Sequence, residues 1–151
     1  MGVSAVNCQL KKMFITETFI RVRYAETDQM NVVYYGNYAQ YFEVARAESI
    51  RNLGFTYKEI EAVGVIMPVV EMQIKYLRPA HYDDLLTIKT FLRELPTDHR
   101  IIFDHEVYNA EKKLLTTGKV ILYFVKMGSF EKTTMPATMR RILLPFFPEK
   151  T

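Results

Sequence analysis

The chain has 151 residues, with 20 Lys and Arg against 17 Asp and Glu for a formal net charge of +3, and this length suits one domain with a core of its own. A single cysteine, Cys8, excludes an intrachain disulfide, and three histidines (His81, His99, His105) supply no Cys/His set at zinc spacing. Ten Phe and ten Tyr with no Trp leave carboxylates, tyrosines and the backbone to carry the chemistry.

Residues 14–23 alternate, with Thr16, Thr18, Ile20 and Val22 on one face and Glu17, Arg21 and Arg23 mainly on the other, which predicts a strand. A loop over 24–37 contains Glu26-Thr27-Asp28 and Asn31-Val32-Val33-Tyr34-Tyr35-Gly36. A long helix is expected over 38–53, with Asn37 as N-cap, Gln40 three residues on, and Gly54 in the left-handed position after it. Tyr38, Tyr41, Phe42, Ala45 and Leu53 recur at helical spacing, and Ala39 and Val44 widen the apolar surface. That is the pattern of a helix largely wrapped by other structure. Thr56 and Glu59 make a capping box for a short helix over 57–63, which Gly64 ends. The period then changes to two: residues 65–78, 84–95, 100–109 and 114–126 alternate and are rich in Val, Ile, Thr, Tyr and Phe. Pro79, Pro96 and a turn at 109–113 punctuate them. Their short connections imply antiparallel pairing. Pro136 opens a last helix to about Leu144, where Pro145 stops it.

The order β-α-α-β-β-β-β-α predicts an α+β domain of two layers, the long helix lying across an antiparallel sheet that the first strand joins. Residues 1–12 are expected to be an unstructured lead-in and 13–151 a single domain. No run of apolar residues approaches the ~20 that a membrane span needs, and the N-terminus lacks a basic signal region, so the cytoplasm is the expected location. The scattered basic residues read as solvated surface, which argues against a nucleic-acid partner.

Asp28 is the residue to single out. It lies in the loop between a strand and the start of an apolar helix, where an Asx turn is the ordinary structural role for Asp. Valines and tyrosines on both sides predict a partly desolvated carboxylate, and the N–H groups of a helix N-terminus suit a developing oxyanion. His99 and His105, six apart on one predicted strand face, lack a third ligand at metal spacing and read as structural or surface residues. Asp83-Asp84 reads as closing a turn, and Glu43 and Arg46 as helix-surface or interface charges. Tyr34, Tyr38 and Tyr41 read as core or dimer packing more than as substrate contacts. Cys8, without a positioned His, reads as inert.

The stretch RVRYAETDQMNVVYYGNYAQYFEVAR resembles the active-site segment of the 4-hydroxybenzoyl-CoA thioesterase family. The resemblance continues through Met67-Pro68-Val69-Val70, Ile74-x-Tyr76-x-x-Pro79-Ala80-x-Tyr82-Asp83-Asp84 and Val107-Tyr108-Asn109. It implies a hot-dog fold, an antiparallel sheet wrapped around a long central helix, and acyl-CoA hydrolysis without cofactor or metal. In that reading Asp28 attacks the thioester carbonyl or activates a water, and the backbone N–H of Tyr35 polarises the carbonyl. Asn31, where many relatives have Gly, and Tyr34, Tyr35 and Met67 would border the acyl group. Arg93, His99 and Arg100 are the candidates for gripping CoA phosphates.

Acyl carrier protein in place of CoA is the near alternative. A non-catalytic acyl-thioester binding module is the further one, motivated by Asn31 and by Tyr35, which stands where many relatives have His. Hydratase chemistry on this fold wants a His, and the loop–helix segment has none. The resemblance also implies a homo-oligomer, dimer or tetramer, with the apolar tail 142–147 placed either on a neighbour or on its own sheet.

Overall fold

The alternation at the start of the chain does fold as a strand, β1 (Phe14–Arg21), in a computed structural model that describes residues 12–148. The expected lead-in, apart from Lys12, and Cys8 lie outside the described residues. A 3-10 turn over Tyr24–Glu26 follows, then α1 (Asn37–Asn52), α2 (Tyr57–Ala62), β2 (Val65–Ile66) and β3 (Val69–Tyr76). The chain continues through β4 (Leu85–Leu92), β5 (Arg100–Tyr108), β6 (Leu114–Tyr123), β7 (Val125–Lys126) and α3 (Ala137–Leu143), and a 3-10 turn over Leu144–Phe146 completes it. Five strands form one antiparallel sheet in the order β1-β4-β5-β6-β3, and β2 pairs with β7 beside it.

The sheet's inner face is set by register. Thr16, Thr90, His105, Gly118 and Ile74 stand directly opposite one another from β1 to β3, making a row that crosses all five strands. The helix α1 lies over this row. Ser49 hydrogen-bonds Thr16, and the Phe42 ring, 0 % exposed, stacks on the His105 imidazole at 4.6 Å and 5°. Gly118 leaves the room for that ring, because a Cβ there would lie 2.4 Å from Phe42 Cε2. Leu86, Ile88, Leu92, Ile101, Phe103, Val107, Val120 and Leu122 complete the core around it. An antiparallel sheet wrapped about a central helix is the hot-dog arrangement.

Several local expectations are corrected. β1 ends at Arg21 because Arg23 turns to serve the following 3-10 turn. The N-cap of α1 is Gly36, and Asn37 is the first helical residue. The Asn37 amide nitrogen instead donates to the Glu26 carbonyl at 2.8 Å, a bond across the loop that local pattern does not show. The strand expected over 65–78 breaks at Met67-Pro68, since Pro has no N–H for the ladder, and the strand over 114–126 breaks at Phe124.

Arg46, read as a surface or interface charge, is 5 % exposed. Its Nε and Nη1 have no hydrogen-bond partner among the described residues. His99 precedes β5 rather than standing on it, with its ring edge-on to Tyr123, while His105 is interior. The apolar tail packs on its own domain: Leu143 is in the core, Ile142 and Phe147 rest against it, and Phe146 meets the Phe14 ring.

Other expectations hold. Gly54 and Gly64 take positive φ, +97° and +83°, after their helices. The Thr56 side chain accepts the Glu59 N–H. Asp83, at φ 68°, closes the turn into β4 and donates its N–H to the Val22 carbonyl. No helix among the described residues is long and apolar enough to cross a membrane.

Candidate active site

The loop that leads into α1 is held by Glu26, a buried carboxylate. One oxygen accepts the Arg23 N–H at 2.8 Å and the Tyr41 hydroxyl at 3.0 Å. The other takes the Arg23 guanidinium at 3.0 Å. Burial alone would raise this carboxyl, but the hydrogen bonds from Arg23 and Tyr41 outweigh it and hold Glu26 below the ordinary carboxylate value. Burial and the adjacent Glu26 carboxylate push the Tyr41 phenol well above its ordinary value. The Glu26 carbonyl also receives the Tyr34 N–H at 2.9 Å and the Asn37 amide at 2.8 Å. One residue thus fixes the loop at four points.

Beyond Glu26, a bridge between Thr27 and Val33 closes a tight excursion. Asp28 donates its N–H to the Val32 carbonyl and receives the Asn31 N–H, both at 2.9 Å. Asp28 Oδ1 accepts the Met30 N–H at 2.8 Å, an Asx turn. The structural role expected of Asp28 is therefore filled by one oxygen. Among the described residues Oδ2 has no hydrogen-bond partner. Asn31 takes φ +64°, a left-handed conformation that Gly and Asn adopt more readily than other residues.

Asp28 opens into a cleft of about 290 Å³ that it shares with Met30, Tyr35, Tyr38, Tyr76 and Arg78. The cleft lies at the head of α1. The Asn37 N–H bonds the Tyr34 carbonyl at 2.9 Å, so residues 34–37 make one turn leading into the helix. In such a first turn the N–H groups point out of the N-terminal end. Among the described residues neither the Tyr35 nor the Gly36 N–H has a hydrogen-bond partner.

The remaining candidates are placed elsewhere. Tyr34 is exposed, its ring against that of Tyr35 at 4.5 Å. Met67 sits half-buried against the core and does not line the cleft. Two larger depressions, of about 430 and 390 Å³, lie over β3, β5 and β6 and at the β4–β5 turn, and share Arg93, Asp104 and Lys119. Arg93 is paired with Asp104 at 3.0 Å, and Arg100 with Asp98 at 2.9 Å, so within one chain both guanidiniums face carboxylates. Within the chain, then, Asp28 and Tyr35 come together, and Arg93, His99 and Arg100 do not join them.

Glu26 and Tyr76 were not singled out as functional from the sequence. Glu26 stands in the loop before Asp28 and Tyr76 two residues after Ile74, and no role attaches to either from the sequence. The signal available for Tyr76 was its parity with Ile74, which puts both on the inner face. Among the described residues no group of three or more His, Cys, Asp or Glu is disposed to hold a metal.

Among the residues lining this cleft Asp28 is the one carboxylate, beside the N-terminus of a helix wrapped by an antiparallel sheet. The family model of the thioesterase-like superfamily matches residues 22–143. The chain is 37% identical over 102 residues to YneP of Bacillus subtilis, which covers 68% of this chain and 73% of that protein. It is 30% identical over 120 residues to the acyl-CoA thioester hydrolase YbgC of Escherichia coli O6:H1, covering 80% and 89%. Among solved structures, a DHNA-CoA thioesterase from Staphylococcus aureus superposes with a TM-score of 0.76 at 37% identity, over 80% of each chain. The chain belongs to the thioesterase-like superfamily and is a thioester hydrolase.

Proposed function

We propose that the chain hydrolyses acyl-CoA to the free acid and CoA, with Asp28 as the reacting carboxylate and the Tyr35 N–H as the donor to the thioester oxygen. The observation that carries this reading is Asp28 itself. Met30 N–H holds Oδ1, while among the described residues Oδ2 has no partner, in the cleft at the head of α1 where the Tyr35 and Gly36 N–H groups are likewise unpartnered. YbgC, named as an acyl-CoA thioester hydrolase, supports the choice of CoA thioester.

Asp28 Oδ2 either adds to the thioester carbon or takes a proton from a water that adds. In both routes negative charge develops on the carbonyl oxygen, the C–S bond breaks, and the thiolate leaves and takes up a proton. A thiolate is a good leaving group, so no strong general acid is required. Loss of a backbone oxyanion donor typically costs about 2.7–4 kcal/mol of transition-state stabilisation.

Asp28→Asn keeps an acceptor for the Met30 N–H but cannot act as nucleophile or base. Thiol release from acyl-CoA should fall about 10²–10⁴-fold with unchanged folding. A variant as fast as wild type removes Asp28 from the mechanism. In a single turnover in H₂¹⁸O, label found in Asp28 identifies attack by the carboxylate, followed by water adding at the Asp28 carbonyl of the mixed anhydride. Much faster turnover of an acyl carrier protein thioester would move the substrate class to that carrier.

The same reading includes a second copy of the chain. β3 is an edge strand, hydrogen-bonded to β6 alone among the described strands, and it exposes Val69, Val70 and Met72. Unpaired edges of this kind invite pairing with another strand. Light scattering should give a dimer or tetramer, and a monomer at working concentration would count against it.

A further inference from the structure

The cleft that Asp28 opens into is lined also by Tyr76, the last residue of β3. Its hydroxyl donates to the Tyr35 carbonyl at 2.9 Å, a contact between residues 41 apart in sequence. The Tyr76 ring packs edge-on against Tyr38 at 5.5 Å, yet the side of the residue toward the cleft is open, and Tyr76 is 47% exposed.

From these contacts we propose that Tyr76 is a positioning residue for thioester hydrolysis, its hydroxyl setting the orientation of the Tyr35–Gly36 peptide at the head of α1. The proposal rests on the reading of the Asp28 cleft given above.

The peptide unit is planar, so fixing the direction of the Tyr35 C=O fixes the Gly36 N–H on its other side. That Gly36 N–H, without a partner among the described residues, then serves as a second donor to the thioester oxygen, next along the turn from the Tyr35 N–H. A hydrogen bond accepted by a carbonyl also polarises its peptide and strengthens the attached N–H as a donor.

Little else holds this peptide. The Glu26 carbonyl anchors the Tyr34 N–H before it and the Asn37 side chain after it, leaving the Tyr35–Gly36 unit as the span between two anchors. On one side the Tyr34 ring lies so close that a Cβ at Gly36 would sit 2.7 Å from Tyr34 Cε1. On the other side the contact is the Tyr76 hydroxyl. The hydroxyl therefore has a task distinct from the ring: the ring packs, and the hydroxyl aims.

Tyr76→Phe separates the two, because it keeps the ring on Tyr38 and removes only the bond to Tyr35. With an acyl-CoA substrate, kcat should fall about tenfold, the size of one ordinary hydrogen bond, while KM and the melting temperature stay near wild type. In the free protein, the Gly36 amide resonance should move in Tyr76→Phe relative to wild type, a readout that needs no turnover. Tyr76→Leu, which also loses the ring contact, should lower the melting temperature in addition.

Wild-type kcat in Tyr76→Phe, a rise in KM at constant kcat, or an unmoved Gly36 resonance would overturn the proposal. Asp28→Asn is assayed in parallel. If Asp28→Asn is inactive and Tyr76→Phe is unaffected, the positioning role fails and the cleft reading stands. If Asp28→Asn retains full activity, the cleft reading fails and the positioning role goes with it.

Discussion

The Tyr41 hydroxyl donates to Glu26 Oε1 at 3.0 Å, tying the second turn of α1 to the loop that presents Asp28. Asp28 lies two residues beyond that carboxylate, so its loop and the helix beside it share one buried anchor. Removing the hydroxyl leaves that oxygen of Glu26 with the Arg23 N–H alone. Tyr41→Phe should cost about 1–3 kcal/mol in urea unfolding. It should also lower kcat, because the loop then carries Asp28 less rigidly. A wild-type unfolding midpoint would show that the anchor does not contribute.

Acid should destabilise the fold before the catalytic carboxylates of an ordinary protein would titrate. Burial, and secondarily the Arg46 charge, depress the His105 imidazole from 6.5 to about 3. Between those values the unfolded chain binds a proton at His105 that the folded chain does not, so stability falls as pH falls from 6.5 toward 3. The slope is at most about 1.4 kcal/mol per pH unit. Glu26, whose folded value is lowered, adds a separate loss only below the ordinary carboxylate range. Unfolding midpoints at pH 7, 6 and 5 should decline for wild type and stay flatter for His105→Leu; parallel declines would remove His105 as the cause.

Gly118→Ala should overpack the core. The added Cβ would meet the Phe42 ring at 2.4 Å, and that ring is already stacked against His105. A cost of about 1–3 kcal/mol is expected. Phe42→Leu should relieve part of it, so the double variant should be more stable than the two single costs added together. Strict additivity would mean that the strand yields rather than the ring.

The left-handed turn at Asn31 predicts a split between two substitutions. Asn31→Gly should change stability by only a few tenths of a kcal/mol, since Gly takes φ +64° without a Cβ penalty. Asn31→Val should cost about 1–3 kcal/mol for a β-branched residue in that conformation. Equal midpoints for the two variants would show that the turn relaxes out of the left-handed region.

What could be read from the sequence divides along physical lines. Strand alternation was legible because each inner face repeats every second residue against one core, as in Thr16, Thr18, Ile20 and Val22. The turns at Gly54, Gly64 and Asp83 were legible because their chemistry is local. Asp28 was legible as a loop carboxylate at the head of a helix, and its Asx turn was expected as well. The misses come from contacts across the fold. Asn37 looked like a cap until the Glu26 carbonyl, 11 residues back, claimed its side chain. Arg46 reads as a helix-surface or interface charge beside Glu43, yet within the chain it is buried, with Tyr57 of the next helix and His105 of the sheet as neighbours. Tyr76 could not be assigned a task, because its bond to Tyr35 spans 41 residues. Pro68 did carry the signal for the break between β2 and β3, and alternation across it masked that signal.

The strand order also dictates a sequence of assembly. The three middle strands, β4, β5 and β6, are consecutive in the chain and join through short turns, so they can form as a meander on their own. The two flanking strands, β1 and β3, are made earlier in synthesis but have no partner in the sheet until β4 and β6, respectively, follow. The Asp28 loop leaves β1, and Tyr76 ends β3. On the ribosome, these two parts of the cleft must therefore wait, unpaired, for the later half of the chain to bring them together.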